Sequence, residues 1–277
     1  MALGLFKLVA VSDVLGLLVD EVFPNYRSYG GPMLVLAAVF YTFQLYFNFS
    51  GYSEVARAVG LLLGLELPEN FKTPFFATNF SGFWSRWHIS FSSWLQDYLF
   101  HAAGVGGCLR ADGRQNQPPA RGNFACSRCF CLRLLARQHA ALVVWAFAGQ
   151  LPPGRGAAAP PFGQAEKMKS PGPRAVVKRA GVFVLWCVSM VFFRVGSSPA
   201  AAPLTVGDAF AYLGRCFMGW GPARFASELY AAASGGFYAN AIMVAAYYGF
   251  VALVLALAFY LDTRRAFAFK TSRPKSA

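Results

Sequence analysis

Long apolar runs separated by short polar breaks make up most of the chain. Residues 32–49 form one run, and residues 180–195 and 237–261 form two more towards the C-terminus. A helix needs roughly 20 apolar residues to cross a bilayer, and the runs are near that length. Only helices and closed barrels can cross, because lipid leaves backbone polar groups without partners. We therefore predict an all-α, polytopic transmembrane helix bundle.

The first residues are also apolar, although Lys7 and Asp13 interrupt residues 1–19. A secretory signal peptide would end in a cleavage site made of small residues. Here the apolar run is followed instead by Asp20 and Glu21. We therefore predict that this segment is part of the membrane bundle.

Composition supports the membrane prediction. Of the 277 residues, 56% are hydrophobic and only 13% are charged, whereas an ordinary soluble domain has about 25% charged residues. The chain lacks the polar surface of a freely soluble globular protein. The same hydrophobic content excludes a disordered chain.

The positive charge is concentrated beside the C-terminal apolar runs. The net charge is +13, and basic residues flank the two runs on their outer sides: Lys178 and Arg179 before the first, Arg264, Arg265 and Lys270 after the second. The connector between these runs is nearly neutral. Basic flanks remain cytoplasmic, so we expect the C-terminus in the cytoplasm. We expect the excess charge to meet lipid headgroups, with no nucleic acid as partner.

A group of polar residues falls within or at the end of run 32–49. Polar groups at membrane depth are costly, so they face a cavity or a partner and often mark function. Hydrogen bonding between helices is an equally good explanation, and both stay open here. The polar group consists of Gln44, Asn48, Ser50, Ser53 and Glu54.

The residues that follow predict a further element. We predict a separate short helix over residues 54–67, ended by Pro68.

A second group lies in the segment Phe-Trp-Ser-Arg-Trp-His-Ile-Ser, residues 83–90. On one helix, Trp84, Trp87 and Trp94 would share a face. They could also form an interfacial aromatic belt, with Arg86 extending to the headgroups, which we favour for that arginine. His88 can act as a base near neutral pH, although a single histidine is more often a structural hydrogen-bonding residue.

Three motifs in order carry a family resemblance: Leu-Tyr-Phe-Asn-Phe-Ser-Gly-Tyr-Ser at 45–53, Leu-Pro-Glu-Asn-Phe at 67–71, and Phe-Trp-Ser-Arg-Trp-His-Ile-Ser-Phe-Ser-Ser-Trp-Leu-Gln-Asp-Tyr-Leu at 83–99. They resemble the membrane-bound O-acyltransferases, in the branch of alginate O-acetyltransferase and the teichoic acid D-alanyl transfer protein. A weaker echo is Val-Phe-Phe-Arg at 191–194. The family usually has Asp where this chain has Asn48.

The resemblance implies a helix bundle with a tunnel through the bacterial inner membrane. An acyl donor, acetyl-CoA or an acylated carrier, would arrive on the cytoplasmic side. The acceptor would be a hydroxyl of alginate or a similar exopolysaccharide, reached directly or through a periplasmic acyltransferase partner. Membrane lipid would surround the bundle. No bound cofactor and no metal are expected.

The resemblance also assigns roles to residues. His88 is expected to act as the catalytic base or to position the donor. Asn48, Ser50 and Tyr52 are expected to line the tunnel, while Arg86, Trp87 and Asp97 are further substrate-contact candidates. The family has a second histidine in a downstream Trp-His-Gly motif, generally taken as catalytic, which this chain lacks.

The middle of the chain has the composition of a wrong reading frame. Residues 101–166 contain four of the six cysteines and seven arginines but no Lys, Ile, Tyr, Met or Thr. Residues 100–104 can be encoded so that removal of one base after the codon of Phe100 changes the reading to Phe-Met-Pro-Leu-Gly. At that same offset, residues 133–137 can encode Gly-Phe-Trp-His-Gly. We therefore interpret the Cys126, Cys129, Cys131 and His139 group as a frame artefact rather than a zinc site.

The predicted organisation has three parts. Residues 1–100 carry the family motifs, residues 101–168 are out of frame, and residues 169–277 form a transmembrane hairpin with a basic cytoplasmic tail. Without the Trp-His-Gly histidine and the family's N-terminal spans, we expect this chain to be inactive. The alternatives are a transporter or channel-like membrane protein, or an inert gene fragment.

Overall fold

The computed structural model describes residues 1–94, 172–196, 204–234 and 241–271, and these residues contain only helices, turns and coil. This agrees with the predicted all-α fold. The helices are α1 Ala2–Leu5, a π-helical segment Phe6–Ser12, α2 Asp13–Val22, α3 Gly31–Leu62, a 3-10 turn Pro74–Phe76, α4 Phe80–Trp84, α5 Ile89–Trp94, α6 Pro173–Gly196, α7 Val206–Arg215, α8 Pro222–Ser234 and α9 Ala241–Thr271.

Among the described residues, four helical stretches are long and apolar enough to cross a membrane. They are Ala2–Val22, Gly31–Leu62, Pro173–Val195 and Val244–Thr263. Three of them contain or overlap the predicted runs 32–49, 180–195 and 237–261, and the fourth overlaps the interrupted apolar run at the N-terminus. The chain is therefore a multi-pass membrane protein. The middle part predicted for residues 101–168 lies outside the described residues, and so do the cysteines and the histidine assigned to it.

The chain divides into two compact units. One comprises Met1–Pro68 with Trp186–Ala277, and the other comprises Glu69–Leu185. The first unit contains α1, α2, α3, α7, α8, α9 and the C-terminal half of α6. The second contains α4, α5 and the N-terminal half of α6.

Helix α3 is continuous over 32 residues. The prediction of a separate short helix over residues 54–67 is therefore wrong. Helix α3 ends at Leu62, and Gly64, two residues further on, has a φ of 76° in the left-handed region. There the amide of Leu65 donates to the carbonyl of Gly60, a C-cap for which glycine is the favoured residue. The helix does not break earlier because its central polar side chains find partners within the bundle.

In the first unit the helices alternate in direction. The turn between α2 and α3 lies at the same end as the C-terminus of α6, where Arg194 pairs with Asp20 and its guanidinium lies 5.4 Å from the Tyr41 ring centre. The N-terminal part of α9 packs against α2, since Tyr247 donates to the carbonyl of Val14. We call this the connector end, because the α6–α9 connector lies there. The arginine of the Val-Phe-Phe-Arg motif at 191–194 thus forms an ion pair between α6 and α2.

At the opposite end, a buried lysine joins three helices. The Lys7 side chain is 1% exposed, and its Nζ lies 2.7 Å from Glu54 Oε1 and 2.6 Å from Asp262 Oδ1. It also donates to Ser50 Oγ at 2.9 Å. The hydroxyl of Tyr46 donates to Asp262 Oδ2 at 2.6 Å. We call these five residues the Lys7 cluster. It connects the first span with α3 and α9.

Two local features let Lys7 reach its partners. The π-helical segment Phe6–Ser12 widens the first span and turns Lys7, Val11 and Ser12 inward. The backbones also cross closely, because a Cβ on Gly4 would lie 2.8 Å from the carbonyl oxygen of Gly51. Small residues permit such crossings between membrane helices. The distance between the helices is therefore short enough for the Lys7 side chain to place its ammonium between the carboxylates.

At the connector end, α8 caps the start of α3. The amide of Gly30 donates to Glu228 Oε1 at 2.8 Å, and Arg224 Nε holds the same oxygen at 2.7 Å. A carboxylate at a helix N-terminus satisfies a free amide and interacts favourably with the helix dipole. The amide of Gly31 donates to the carbonyl of Met218 at 2.7 Å. The connector is thereby fixed to the first turn of a membrane-spanning helix.

The Lys7 cluster predicts unequal effects of removing two tyrosine hydroxyls on the same helix. Tyr46→Phe should lower the free energy of unfolding by about 1.5–3 kcal/mol, because it removes a buried hydrogen bond to a carboxylate. Tyr52→Phe is the matched control, since Tyr52 is 68% exposed, and it should change stability little. Denaturation of the purified protein in detergent measures both. Equal losses for the two variants would contradict the cluster.

Candidate functional site

The polar residues of α3 lie on two different faces of the helix. Tyr46, Ser50 and Glu54 are four residues apart, and they face the Lys7 cluster. Asn48 and Tyr52 are also four residues apart, and both are exposed. Residues spaced by four share a face of a helix, so the two sets separate by register alone. Ser50, predicted to line a tunnel, is 3% exposed and accepts the Lys7 hydrogen bond.

The tryptophan-rich segment folds as two short helices separated by a break. Helix α4 ends at Trp84 and α5 begins at Ile89. Of the two alternatives for Trp84, Trp87 and Trp94, the one that puts them on a single helical face is therefore wrong, and the interfacial belt stays a prediction. The break lies at His88, whose φ is 44°. This left-handed conformation is uncommon for a residue with a side chain and cannot continue a right-handed helix.

The loop before these helices holds the break in place. The amide of Ile89 donates to the carbonyl of Asn70 at 3.0 Å, and the amide of Ser90 donates to Asn70 Oδ1 at 3.0 Å. The carbonyl of His88 accepts from the amide of Ser92 at 3.0 Å, which begins α5. Asn70 belongs to the Leu-Pro-Glu-Asn-Phe motif. The second and third motifs are therefore bonded to each other through the backbone beside His88.

Aromatic rings surround the segment. Trp87 is 1% exposed and stacks on Phe83, with ring centres 5.5 Å apart and planes at 18°. Phe71 meets Trp87 edge to face at 5.2 Å and lies 5.9 Å from the His88 ring. The centre of the Phe91 ring is 5.2 Å from the imidazole on another side. His88 is thus half-buried beside an apolar, aromatic core.

Arg86 is buried rather than extended towards headgroups. It is 4% exposed, so our preference for a snorkelling side chain is wrong. The carbonyl of Arg86 accepts from the amide of Lys72 at 3.0 Å, which again joins the loop to the α4–α5 break. Asp97 lies outside the described residues.

The surroundings of His88 favour its neutral form. Burial lowers the pKa of His88 below the ordinary value of 6.5, because the apolar surroundings disfavour the charged imidazolium. At neutral pH the imidazole therefore retains a nitrogen lone pair. This is the protonation state that a general base requires.

The structure places the predicted site residues in two separate units. His88, Arg86 and Trp87 belong to the unit of residues 69–185, and they are brought together at the α4–α5 break. Asn48, Ser50 and Tyr52 belong to the other unit. Within that unit, Ser50 is separated from the exposed pair by the helix itself.

Sequence reasoning missed the role of Lys7 and Asp262. In the sequence, Lys7 is visible only as an interruption of an apolar run, and Asp262 directly follows the last apolar run with no local sign of a partner. Two signals were available in the sequence. A lysine within an apolar run requires an anionic partner, and the spacing of Tyr46, Ser50 and Glu54 defines a polar stripe on α3.

Comparison with known proteins agrees with the motifs. Residues 2–111 match the MBOAT sequence model, the membrane-bound O-acyltransferase family. The match covers 110 of the 277 residues and shows that this segment is similar to that family. The match to the membrane-bound O-acyltransferases includes motifs from both compact units, from Leu45 in α3 to His88 at the break between α4 and α5.

Three curated relatives share this segment. The Pseudomonas aeruginosa protein named "Probable alginate O-acetylase AlgI" is 44% identical over 101 residues, which is 36% of this chain and 19% of that protein. The Helicobacter pylori peptidoglycan O-acetyltransferase is 39% identical over 99 residues, covering 36% and 19%. The Bacillus subtilis teichoic acid D-alanyltransferase is 45% identical over 60 residues, covering 22% and 15%. The match thus spans about a fifth or less of these relatives' length.

The left-handed backbone at His88 predicts which replacements the fold accepts. His88→Asn should keep the break, because asparagine tolerates this conformation. His88→Val should lower the free energy of unfolding by about 1–2 kcal/mol, because a β-branched side chain is strained there. Denaturation in detergent compares the two variants. If valine were accepted as well as asparagine, the assigned backbone conformation would be wrong.

The lowered pKa of His88 predicts a pH dependence of stability. As pH falls below about 6.5, the unfolded chain takes up a proton before the folded chain does. The unfolding free energy should therefore fall with pH in the window between the ordinary pKa and the lower folded-state pKa. The measurement is the unfolding midpoint of wild type and His88→Asn across this window. A slope that is unchanged by the substitution would refute the assignment.

Proposed function

We propose that this segment is part of an enzyme that transfers an acyl group to a hydroxyl of a cell-surface polysaccharide. The observation that carries the proposal is the α4–α5 break, where the Trp-His-Ile-Ser motif presents a half-buried neutral imidazole. The family match of residues 2–111 supports the reaction class. Relatives named for alginate and peptidoglycan acetylation favour acetyl as the group and an exopolysaccharide as the acceptor.

The proposed chemistry requires one proton transfer at His88. The imidazole accepts the proton of the acceptor hydroxyl while the oxygen attacks the acyl carbon. A new oxygen–carbon ester bond forms, the bond from the acyl carbon to the donor sulfur or oxygen breaks, and the leaving group takes the proton. The donor is a substrate, acetyl-CoA or an acylated carrier. No bound metal or cofactor is part of the scheme.

Other site residues are assigned supporting roles. Asn48 and Tyr52 form the exposed polar face of α3, where they would line the tunnel. Arg86 and Trp87 are buried, so they would shape the segment around His88 rather than contact a solvated substrate. Ser50 would act through the Lys7 cluster. Asp97 stays a substrate-contact candidate.

We further propose that the protein lies in the bacterial inner membrane with its C-terminus in the cytoplasm. The basic residues around Arg264 and Lys178 support this orientation. The connector end would then face the periplasm, where a polysaccharide or a periplasmic acyltransferase would receive the acyl group. The donor would arrive from the cytoplasmic side.

Charged residues at membrane depth would also be expected of a transporter. Lys7, Glu54 and Asp262 come from three different spans, which is the pattern such a protein would have. Their charges, however, are engaged with one another at 2.6–2.7 Å. Helix association accounts for them, so acyl transfer remains the better supported function.

A chimera tests the proposed function without depending on the middle of this chain. The aligned 101-residue segment would replace its counterpart in the Pseudomonas aeruginosa relative, and the acetyl content of secreted alginate would be measured in a strain that lacks that relative. We expect the chimera to restore acetylation. The same chimera with His88→Asn should lose it, because that variant keeps the backbone but removes the base.

Membrane levels of both chimeras provide the control. An inserted chimera without any acetylation would contradict the proposed function. Full acetylation by the His88→Asn chimera would contradict the role of the imidazole. Asn48→Asp, which installs the family's usual residue, should leave acetylation present or raise it.

The frame interpretation of residues 101–168 has its own test. We propose a single-base offset that begins near Phe100 and is compensated before Lys169. Resequencing of this stretch of DNA should reveal the offset, whether as a read error or as a lesion in the gene. One uninterrupted frame that encodes the printed protein would refute it. In that case the absence of the Trp-His-Gly histidine would be genuine.

A further inference from the structure

The connector between α6 and α9 exposes large apolar side chains at the connector end of the bundle. Phe210 is 63% exposed, Phe217 86%, Met218 64% and Trp220 66%. Such a concentration in eleven residues is unusual for a surface that meets only water. The question is therefore what covers these four side chains.

Two contacts fix the depth of the connector relative to the spans. The hydroxyl of Tyr212, on α7, donates at 2.7 Å to the carbonyl of Leu34, which lies in the first turns of the span Gly31–Leu62. The ring of Phe210 meets Phe192 edge to face at 5.1 Å, and Phe192 lies in the last turn of the span Pro173–Val195. Helix α7 is therefore level with the ends of two membrane spans.

The loop after α7 lies at the same level. The carbonyl of Met218 accepts the amide of Gly31, the first residue of α3. A Cβ on Gly31 would overlap the carbonyl oxygen of Cys216 and would lie 2.7 Å from Trp220 Nε1. The loop therefore packs directly against the first residue of the span, at a distance that only glycine permits. Phe217 and Trp220 are thus held at the membrane boundary.

Most charges around the connector are paired within the protein, and Arg215 donates to the carbonyl of Arg27. Arg27 contacts Asp208 at 3.3 Å, and Arg224 contacts Glu228 at 2.7 Å. Asp208 also closes a capping box with Thr205 at the start of α7. This surface therefore has little net charge with which to attract anionic lipid. Its contact area is aromatic and apolar.

We propose that the α7 segment and the following loop, residues 206–220, form an interfacial anchor that inserts into the headgroup region of zwitterionic lipid. Phe210, Phe217 and Met218 reach the acyl-chain boundary, and Trp220 lies among the headgroups. The N–H of Trp220 donates to the carbonyl of Cys216 at 2.8 Å, so the contact with lipid is made by its exposed apolar ring, and aromatic rings of this kind favour the membrane interface. The anchor holds the connector end level with the bilayer surface, independently of acyl transfer.

The test is fluorescence of the full chain in nanodiscs of zwitterionic lipid, with and without bromine atoms on the upper part of the acyl chains. Bromine quenches tryptophan on contact. The contribution of Trp220 is the signal lost on Trp220→Phe. We expect that contribution to fall at least twofold in brominated lipid. Addition of anionic lipid should not change it.

Two further variants keep the test decisive. Trp186→Phe is the matched control, because Trp186 is 0% exposed, and its contribution should be equal in both lipids. A Phe217→Ser, Met218→Ser double variant should release Trp220 from quenching. The proposal is overturned if the Trp220 contribution is the same in both lipids, as it would be in water or under a second protein. It is also overturned if quenching requires anionic lipid.

Discussion

The buried ammonium of Lys7 is the constraint on which the membrane bundle depends. A charge in an apolar interior is tolerated only when it is paired and hydrogen-bonded. Lys7 meets that condition with groups from α3 and α9, which lie 43 to 255 positions away in the chain. The first span, the third helix and the last helix must therefore assemble together. The π-helical segment and the Gly4–Gly51 crossing are the local means by which the lysine reaches its partners.

Helix α3 gains two roles from this arrangement. Its face with Tyr46, Ser50 and Glu54 is used for assembly, and its face with Asn48 and Tyr52 remains exposed. One polar cluster in the sequence thus contains two sets of residues, one that holds helices together and one that stays exposed. The family motif at 45–53 combines both sets, which explains why the motif alone does not distinguish residues used for assembly from residues that stay exposed.

The spans were predictable because apolar length alone determines which segments can cross a bilayer. The partners of the buried charges were harder to predict, because contacts such as that of Lys7 with Asp262 join distant positions that no local pattern connects. The alternative that placed three tryptophans on one helical face fails because helical periodicity assumes a continuous helix. The left-handed backbone of His88, held by Asn70, interrupts that helix, and nothing in the spacing of the tryptophans signals it. The resemblance identified His88, but only the structure shows the apolar surroundings that keep the imidazole neutral.

The two ends of the bundle differ in how they meet the membrane. At one end a network of buried charges holds the helices together, while at the connector end paired surface charges and exposed aromatic residues face the bilayer boundary. The α4–α5 break with His88 belongs to a different compact unit from both. Assembly, membrane contact and the proposed chemistry are thus carried by separate sets of residues.

The most direct test of this account is a double-mutant cycle between Lys7 and Asp262, measured by denaturation of the purified chain in detergent. Lys7→Met should cost about 3–5 kcal/mol of unfolding free energy, because it leaves the buried carboxylate of Asp262 and the part-buried carboxylate of Glu54 without their cation. Adding Asp262→Asn should recover part of that loss, so the double variant is more stable than the sum of the single changes predicts. Strictly additive losses would show that the two groups do not interact, and would contradict the account.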